Sequence, residues 1–105
     1  MESERNPGAI APNAITKLAR LRGVRAAITG GTSGLGRALV QLLAHHGANV
    51  AFLARSQEGL RRTHAEVPRA HAIAADMARK EDIYPAALQI TGLLGGLDVL
   101  VNNAS

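Results

Sequence analysis

Apolar positions along the chain first become regular at Val24. The segment VRAAIT (24–29) reads as a strand, and the glycines Gly30, Gly31, Gly34 and Gly36 follow it within seven residues. Leu35, Leu39, Leu42 and Leu43 then recur at helical spacing until Gly47 stops the helix. NVAFLA (49–54) is apolar on both faces, the pattern of a parallel strand covered by helices on both sides. SQEGLRRTHAEV (56–67) reads as a weaker helix interrupted by Gly59, and RAHAIAA (69–75) as a third strand. The next helix would turn Ile83, Ala87, Ile90 and Leu94 to the core, at offsets of four, three and four, with Pro85 tolerable only in the first turn. Gly95 and Gly96 break it, and LDVLVNN (97–103) supplies a fourth strand.

Strand and helix therefore alternate as β-α-β-α-β-α-β. Such alternation predicts an α/β fold with a doubly wound parallel sheet and right-handed crossovers, Rossmann-like but incomplete, with about four strands. The predicted fourth strand would lie at an exposed apolar edge. Residues 1–23 read as a flexible leader, in which ITKLARLRG (15–23) would place Ile15, Leu18 and Leu21 on one side of a short helix; residues 24–105 form the domain.

Composition narrows the function classes. At 105 residues the chain holds one small domain, and 47% hydrophobic with 19% charged residues is the balance of a globular protein. The net charge of +4 is spread along the chain without a basic arm, and one Phe, one Tyr and no Trp leave few stacking platforms, so nucleic acid is not an expected partner. The absence of cysteine excludes disulfides, thiol catalysis and cysteine-based zinc sites. No apolar stretch approaches the ~18 residues of a membrane span, and the N-terminus lacks the pattern of a signal peptide. A cytoplasmic location and no membrane partner are the expectations. The four histidines show no metal-ligand spacing, so no metal site is expected.

AAITGGTSGLGRALV (26–40) carries the candidate chemistry. A glycine-rich loop between strand and helix offers backbone N–H groups and the positive helix end to a phosphate. The Walker pattern nearly fits from Gly31 to Gly36, but Arg37 stands where its lysine should be and Ala38 where the magnesium-binding hydroxyl should be. An NTPase or phosphotransferase is therefore disfavoured. The usual dinucleotide spacing G-x-G-x-x-G fits no register either. The spacing T-G-x-x-x-G-x-G does fit, as Thr29, Gly30, Gly34 and Gly36. Here the sequence resembles the short-chain dehydrogenase/reductase family. NNAS (102–105) is similar to the family's Asn-Asn-Ala-Gly signature, with Ser105 in place of the last glycine, and Asp76 follows the third strand where the family keeps an Asp. The resemblance implies that Gly30, Thr32, Ser33 and Leu35 line the pyrophosphate and ribose, with Gly34 and Gly36 permitting close approach. It further implies that Asp76 and Met77 hold the adenine and that Asn103 lies beside the cofactor ribose. Read from its residues alone, Asp76 would be a helix N-cap. Asn102 is expected to tie neighbouring backbone together instead of meeting a ligand.

Dinucleotide folds place an acid about twenty residues beyond the glycines to bind the ribose 2′-OH, or an arginine nearby for a 2′-phosphate. The second strand ends FLARS, with Ala54 in the place of the acid and Arg55 after it. NADP(H) is thus expected over NAD(H), unless Glu58 claims Arg55 as an ion-pair partner. Catalysis in the family depends on a Ser and a Tyr-x-x-x-Lys unit. The one tyrosine, Tyr84, has Leu88 four residues later, so no catalytic residue is assigned. The expected function is the NADP(H)-binding portion of an oxidoreductase that moves a hydride between nicotinamide and a carbonyl/alcohol substrate when complete. The alternative is a truncated, non-catalytic nucleotide-binding or interaction module. Neither substrate nor direction is legible, and a homo-oligomer stays open if the chain is complete.

Overall fold

The computed structural model describes residues 20–103. The leader reading therefore lies outside the described residues over 1–19, as do Ala104 and Ser105. Of the expected 15–23 helix, residues 20–23 form a turn, held by Val24 N–H on the Leu21 carbonyl at 3.0 Å and Gly23 N–H on the Gly47 carbonyl at 2.9 Å.

Among the described residues, β1 (Arg25–Thr29), β2 (Asn49–Ala54), β3 (His71–Ala74) and β4 (Val99–Asn102) alternate with α1 (Gly34–His45), α2 (Gln57–Glu66) and α3 (Lys80–Leu94). The sheet runs β3-β2-β1-β4 with every pairing parallel, the doubly wound α/β order that the alternation predicts. β2 and β3 build out from one side of β1 and β4 from the other. A crevice at the carboxyl ends of β1 and β4 is the position where open α/β sheets take ligands.

The pleat divides the core in two. Ile28, Val50 and Phe52 face Val40, Ala44 and Leu60 of α1 and α2, whereas Ala27, Ala51, Leu53 and Ile73 face Ala86, Ile90 and Leu94 of α3. Phe52, Ile28 and Leu53 are fully buried, each contributing about 1.5–3 kcal/mol by leaving water. β4 is an edge strand among these residues, with Val99 44% and Leu100 58% exposed.

α1 turns a different face inward from the one periodicity predicts, and α3 buries only the second half of its predicted face, Ile90 and Leu94. In α1 the buried line is Gly36, Val40 and Ala44, with Leu39 and Leu43 half-buried beside it and Leu35 and Leu42 exposed. Small residues lead because they allow the helix backbone to approach the sheet, and the larger leucines flank that line. In α3 the buried residues are Ala86, Ile90 and Leu94; Ile83 and Ala87 are exposed. Apolar residues occur all around α3, so spacing alone could not choose among its faces. Pro85 stands sixth in the helix instead of in its first turn. Both it and Glu81, whose carbonyl loses a partner there, are exposed, so water can take the place of the missing N–H. Gly59 does not interrupt α2: it is buried within the helix, where a Cβ would stand 3.0 Å from the Thr32 side chain.

Candidate functional site

The carboxyl ends of the four strands surround a cleft of about 840 Å³. After β1, Gly30, Thr32 and Ser33 of the glycine loop line it; Leu53, Ala54, Arg55 and Ser56 enter from the end of β2. Ala75, Asp76, Met77 and Ala78 follow β3, and Asn102 and Asn103 close the fourth side. Seven sequence-nominated residues, Gly30, Thr32, Ser33, Arg55, Asp76, Met77 and Asn103, thus meet at one cleft. Gly34, Leu35 and Gly36 are not among its lining: they form the first turn of α1 directly behind Ser33, and Leu35 is 67% exposed.

The loop is fixed on two sides. Gly30 N–H donates to the Leu53 carbonyl at 2.9 Å, which ties the loop to β2. The Asn103 side-chain Nδ2 donates to the Gly30 carbonyl at 3.1 Å, which ties it to β4. Gly30 and Gly34 take positive φ of 69° and 56°, conformations that a Cβ would strain. Gly36 lies so close to Gly30 that a Cβ would stand 2.6 Å from Asn103 Nδ2 and 2.8 Å from the Gly30 carbonyl carbon, nearer still to its oxygen.

The helix end behind the loop is electrostatically open. Ser33 is the N-cap of α1 in an extended conformation, and its hydroxyl makes no cap hydrogen bond. The first turn of α1 carries no acid, so the positive pole and the unbonded N–H groups of that turn have no built-in counter-charge.

At the end of β2, Glu58 hydrogen-bonds Arg61 within α2, and that contact holds its carboxyl below the usual carboxylate range. Arg55 lines the cleft, is exposed, and makes no ion pair or hydrogen bond among the described residues. Ser56, unnominated by the sequence, lines the same wall and caps α2, its Oγ accepting from Gly59 N–H at 3.0 Å. A serine opening a helical pattern was the readable signal for that cap.

Asp76 is not a helix N-cap. The N-cap of α3 is Arg79, and Asp76 instead accepts from Ala78 N–H at 2.9 Å while its own N–H donates to Asp82 Oδ2 at 2.8 Å. These bonds fold the turn after β3 against the start of α3. Both asparagines of the fourth strand serve as ties: Thr29 Oγ1 donates to Asn102 Oδ1 at 3.0 Å and accepts from Asn103 N–H at 2.9 Å. The spacing could show neither the Asn103 side chain on the loop nor the Thr29 hydroxyl between the two strands, because each contact joins residues more than seventy positions apart. Tyr84 is 72% exposed on α3 and is not a cleft residue.

No helix among the described residues is long and apolar enough to cross a membrane, and no cluster of three or more His, Asp or Glu there could hold a metal.

Comparison with known proteins bears on the cleft. The family model described as short chain dehydrogenase matches residues 25–105. General stress protein 39 of Bacillus subtilis is 37% identical over 110 residues, spanning 99% of this chain and 38% of its own length. A short chain dehydrogenase from Burkholderia cenocepacia, solved in complex with NADP, is 41% identical with a TM-score of 0.75, over 82% of this chain and 37% of that one. A 3-ketoacyl-(acyl-carrier-protein) reductase from Brucella melitensis, complexed with NADH, is 33% identical with a TM-score of 0.73, over 76% of this chain and 33% of that one. The chain spans between a quarter and two fifths of the length of such curated relatives, 25% to 38%.

Proposed function

The chain belongs to the short-chain dehydrogenase family, and from that premise we propose that its cleft binds a nicotinamide dinucleotide, with NADP(H) preferred over NAD(H). The observation that carries the preference is the unengaged Arg55 at the end of β2, beside Ala54, where an acid for the ribose 2′-OH would otherwise stand. Glu58, the one nearby acid that could have neutralised Arg55, is occupied by Arg61.

The residues present fit the group. A cleft of about 840 Å³ lies within the range that small-molecule sites occupy. Ser33 offers a free hydroxyl and α1 an uncompensated positive end to the pyrophosphate. Asp76 and Met77 supply the wall for the adenine, and Thr32 and Asn103 flank the ribose side. When bound, the nicotinamide supplies or accepts the hydride. This chain's own part is to bind and orient the cofactor, in a protein that moves a hydride between nicotinamide and a carbonyl/alcohol carbon.

Titration with NADPH and NADH, followed by nicotinamide fluorescence, tests the reading. One charge-assisted hydrogen bond of about 1.5–3 kcal/mol predicts a preference of about tenfold to a hundredfold for NADPH. Arg55→Ala should remove that preference and leave NADH affinity unchanged. Equal affinity in the wild type, or a preference that survives the substitution, would overturn it.

A further inference from the structure

The opposite end of the sheet carries a side chain whose guanidinium is engaged on all three nitrogens. Arg25, the first residue of β1, uses Nε and Nη2 on the two carboxylate oxygens of Asp98, at 3.1 and 2.9 Å. Its Nη1 donates to the carbonyl of Gly95, which ends α3, at 2.9 Å. The backbones close the same ring, with Arg25 N–H on Asp98 Oδ2 at 2.9 Å and Asp98 N–H on the Arg25 carbonyl at 2.8 Å. Gly96 makes room for the guanidinium, since a Cβ there would stand 2.9 Å from Arg25 Cζ.

This ring is where β4 begins. From it the register runs Ala26↔Val99 to Thr29↔Asn102, and one residue further Asn103 reaches the glycine loop through the Gly30 carbonyl. β4 has a ladder partner on one side only and much of its surface exposed; Thr29 ties its far end through Asn102 and Asn103, and at its start this ring joins it to β1 and α3. A strand shifted by one residue inverts its side chains. Even a fraction of that slip would take Asn103 Nδ2 off the Gly30 carbonyl and release the loop that Gly36 packs against.

We propose that Arg25 and Asp98 are positioning residues for the dinucleotide loop: by locking the start of β4 to the start of β1 and the end of α3, they hold Asn103 against Gly30 at the far end of the strand. The inference rests on the reading of the cleft as a dinucleotide site. The pair touches no ligand and acts only through β4.

The test compares the wild-type chain with Asp98→Asn and Arg25→Lys. The first removes the charge and one accepting oxygen; the second keeps the charge without the planar fork. Each is measured for NADPH affinity and for amide hydrogen exchange at Gly36 and Asn103, at a temperature where all three proteins are folded by circular dichroism. The expected result is affinity about threefold to tenfold weaker in Asp98→Asn, less so in Arg25→Lys, with faster exchange at Gly36 and Asn103. Lower melting temperature with unchanged affinity and unchanged exchange would make the pair structural only and overturn the proposal. A wild type that binds neither NADPH nor NADH would refute the reading of the cleft, and the exchange arm would then decide the clamp by itself. Should Asp98→Asn fail to fold, Arg25→Lys carries both measurements.

Discussion

Gly36→Ala and Gly92→Ala are the same chemical change in two helices, and the structure gives them opposite signs. In the interior of a helix, Ala in place of Gly stabilises by about 0.5–1 kcal/mol, because the unfolded chain has less freedom to lose. At Gly92 in α3 a Cβ meets nothing within 4 Å, so that gain should appear undiminished. At Gly36 the Cβ would stand 2.6 Å from Asn103 Nδ2 and 2.8 Å from the Gly30 carbonyl carbon, where ordinary contact begins at 3.4 Å. The Asn103 side chain would have to yield by about 0.8 Å, and the first turn of α1 must also retreat from the Gly30 carbonyl, which belongs to a loop backbone bonded to β2 through Gly30 N–H. Overpacking of this kind costs about 1–3 kcal/mol. Losing the Asn103 bond to Gly30 adds about 1 kcal/mol, and the helix-propensity gain returns up to about 1. The net expectation is a loss of about 1–3 kcal/mol, which for a domain of this size lowers the melting temperature by about 5–20 °C. Thermal unfolding followed at 222 nm should show Gly92→Ala above the wild type and Gly36→Ala well below it. A Gly36→Ala variant as stable as the wild type would refute the claim that α1 meets the loop in direct backbone contact.

Two further outcomes follow from buried and paired groups. Thr63 is 1% exposed and its hydroxyl makes no hydrogen bond among the described residues, so Thr63→Val should raise stability by about 1 kcal/mol in urea unfolding, and a loss would indicate a hidden partner. Hydrogen bonds from the Arg25 side chain hold the Asp98 carboxyl at about 2, below its ordinary 3.8, so the stability it confers is fully present above about pH 4 and is lost as pH falls toward about 2. Glu66 is lowered by Arg37 and Glu58 by Arg61, with the same sign. Asp98→Asn should flatten the acid side of the stability profile between those limits, and an unchanged slope would remove Asp98 from that account.

Local pattern revealed much of the architecture. NVAFLA (49–54) is β2 residue for residue, because a short run that is apolar on both faces and bounded by polar positions has few alternatives in a parallel sheet. The glycine loop and the turns after β2, β3 and β4 were legible for a similar reason: strand ends in an alternating fold all point the same way, so motifs on them converge. What periodicity could not supply was rotation of the helices. Leu35 and Leu42 match the helical period as well as Leu39 and Leu43 do, but Gly36 and Ala44 set the line of closest approach because they are small. Asn102 was legible as a tie, but the partners of Asn102 and Asn103 were opaque, since they are Thr29 and Gly30, far away in sequence.

The availability of Arg55 shows how secondary structure settles what spacing leaves even. Glu58 is three residues from Arg55 and three from Arg61, so sequence distance alone favours neither. The helix begins at Gln57 with Ser56 as its cap, which puts Glu58 and Arg61 together in α2 at the spacing where helical side chains meet. Arg55 precedes the cap, off the helix, and its side chain belongs to the end of β2 and the cleft. The Ser56 hydroxyl, which accepts from Gly59 N–H, thus does more than close a helix end: by fixing where α2 starts, it assigns Glu58 to Arg61 and leaves the Arg55 guanidinium unengaged among the described residues. Moving that start back by one turn would give Glu58 a choice of two arginines at equal spacing, and the proposed preference for a 2′-phosphate would weaken without any change to Arg55 itself.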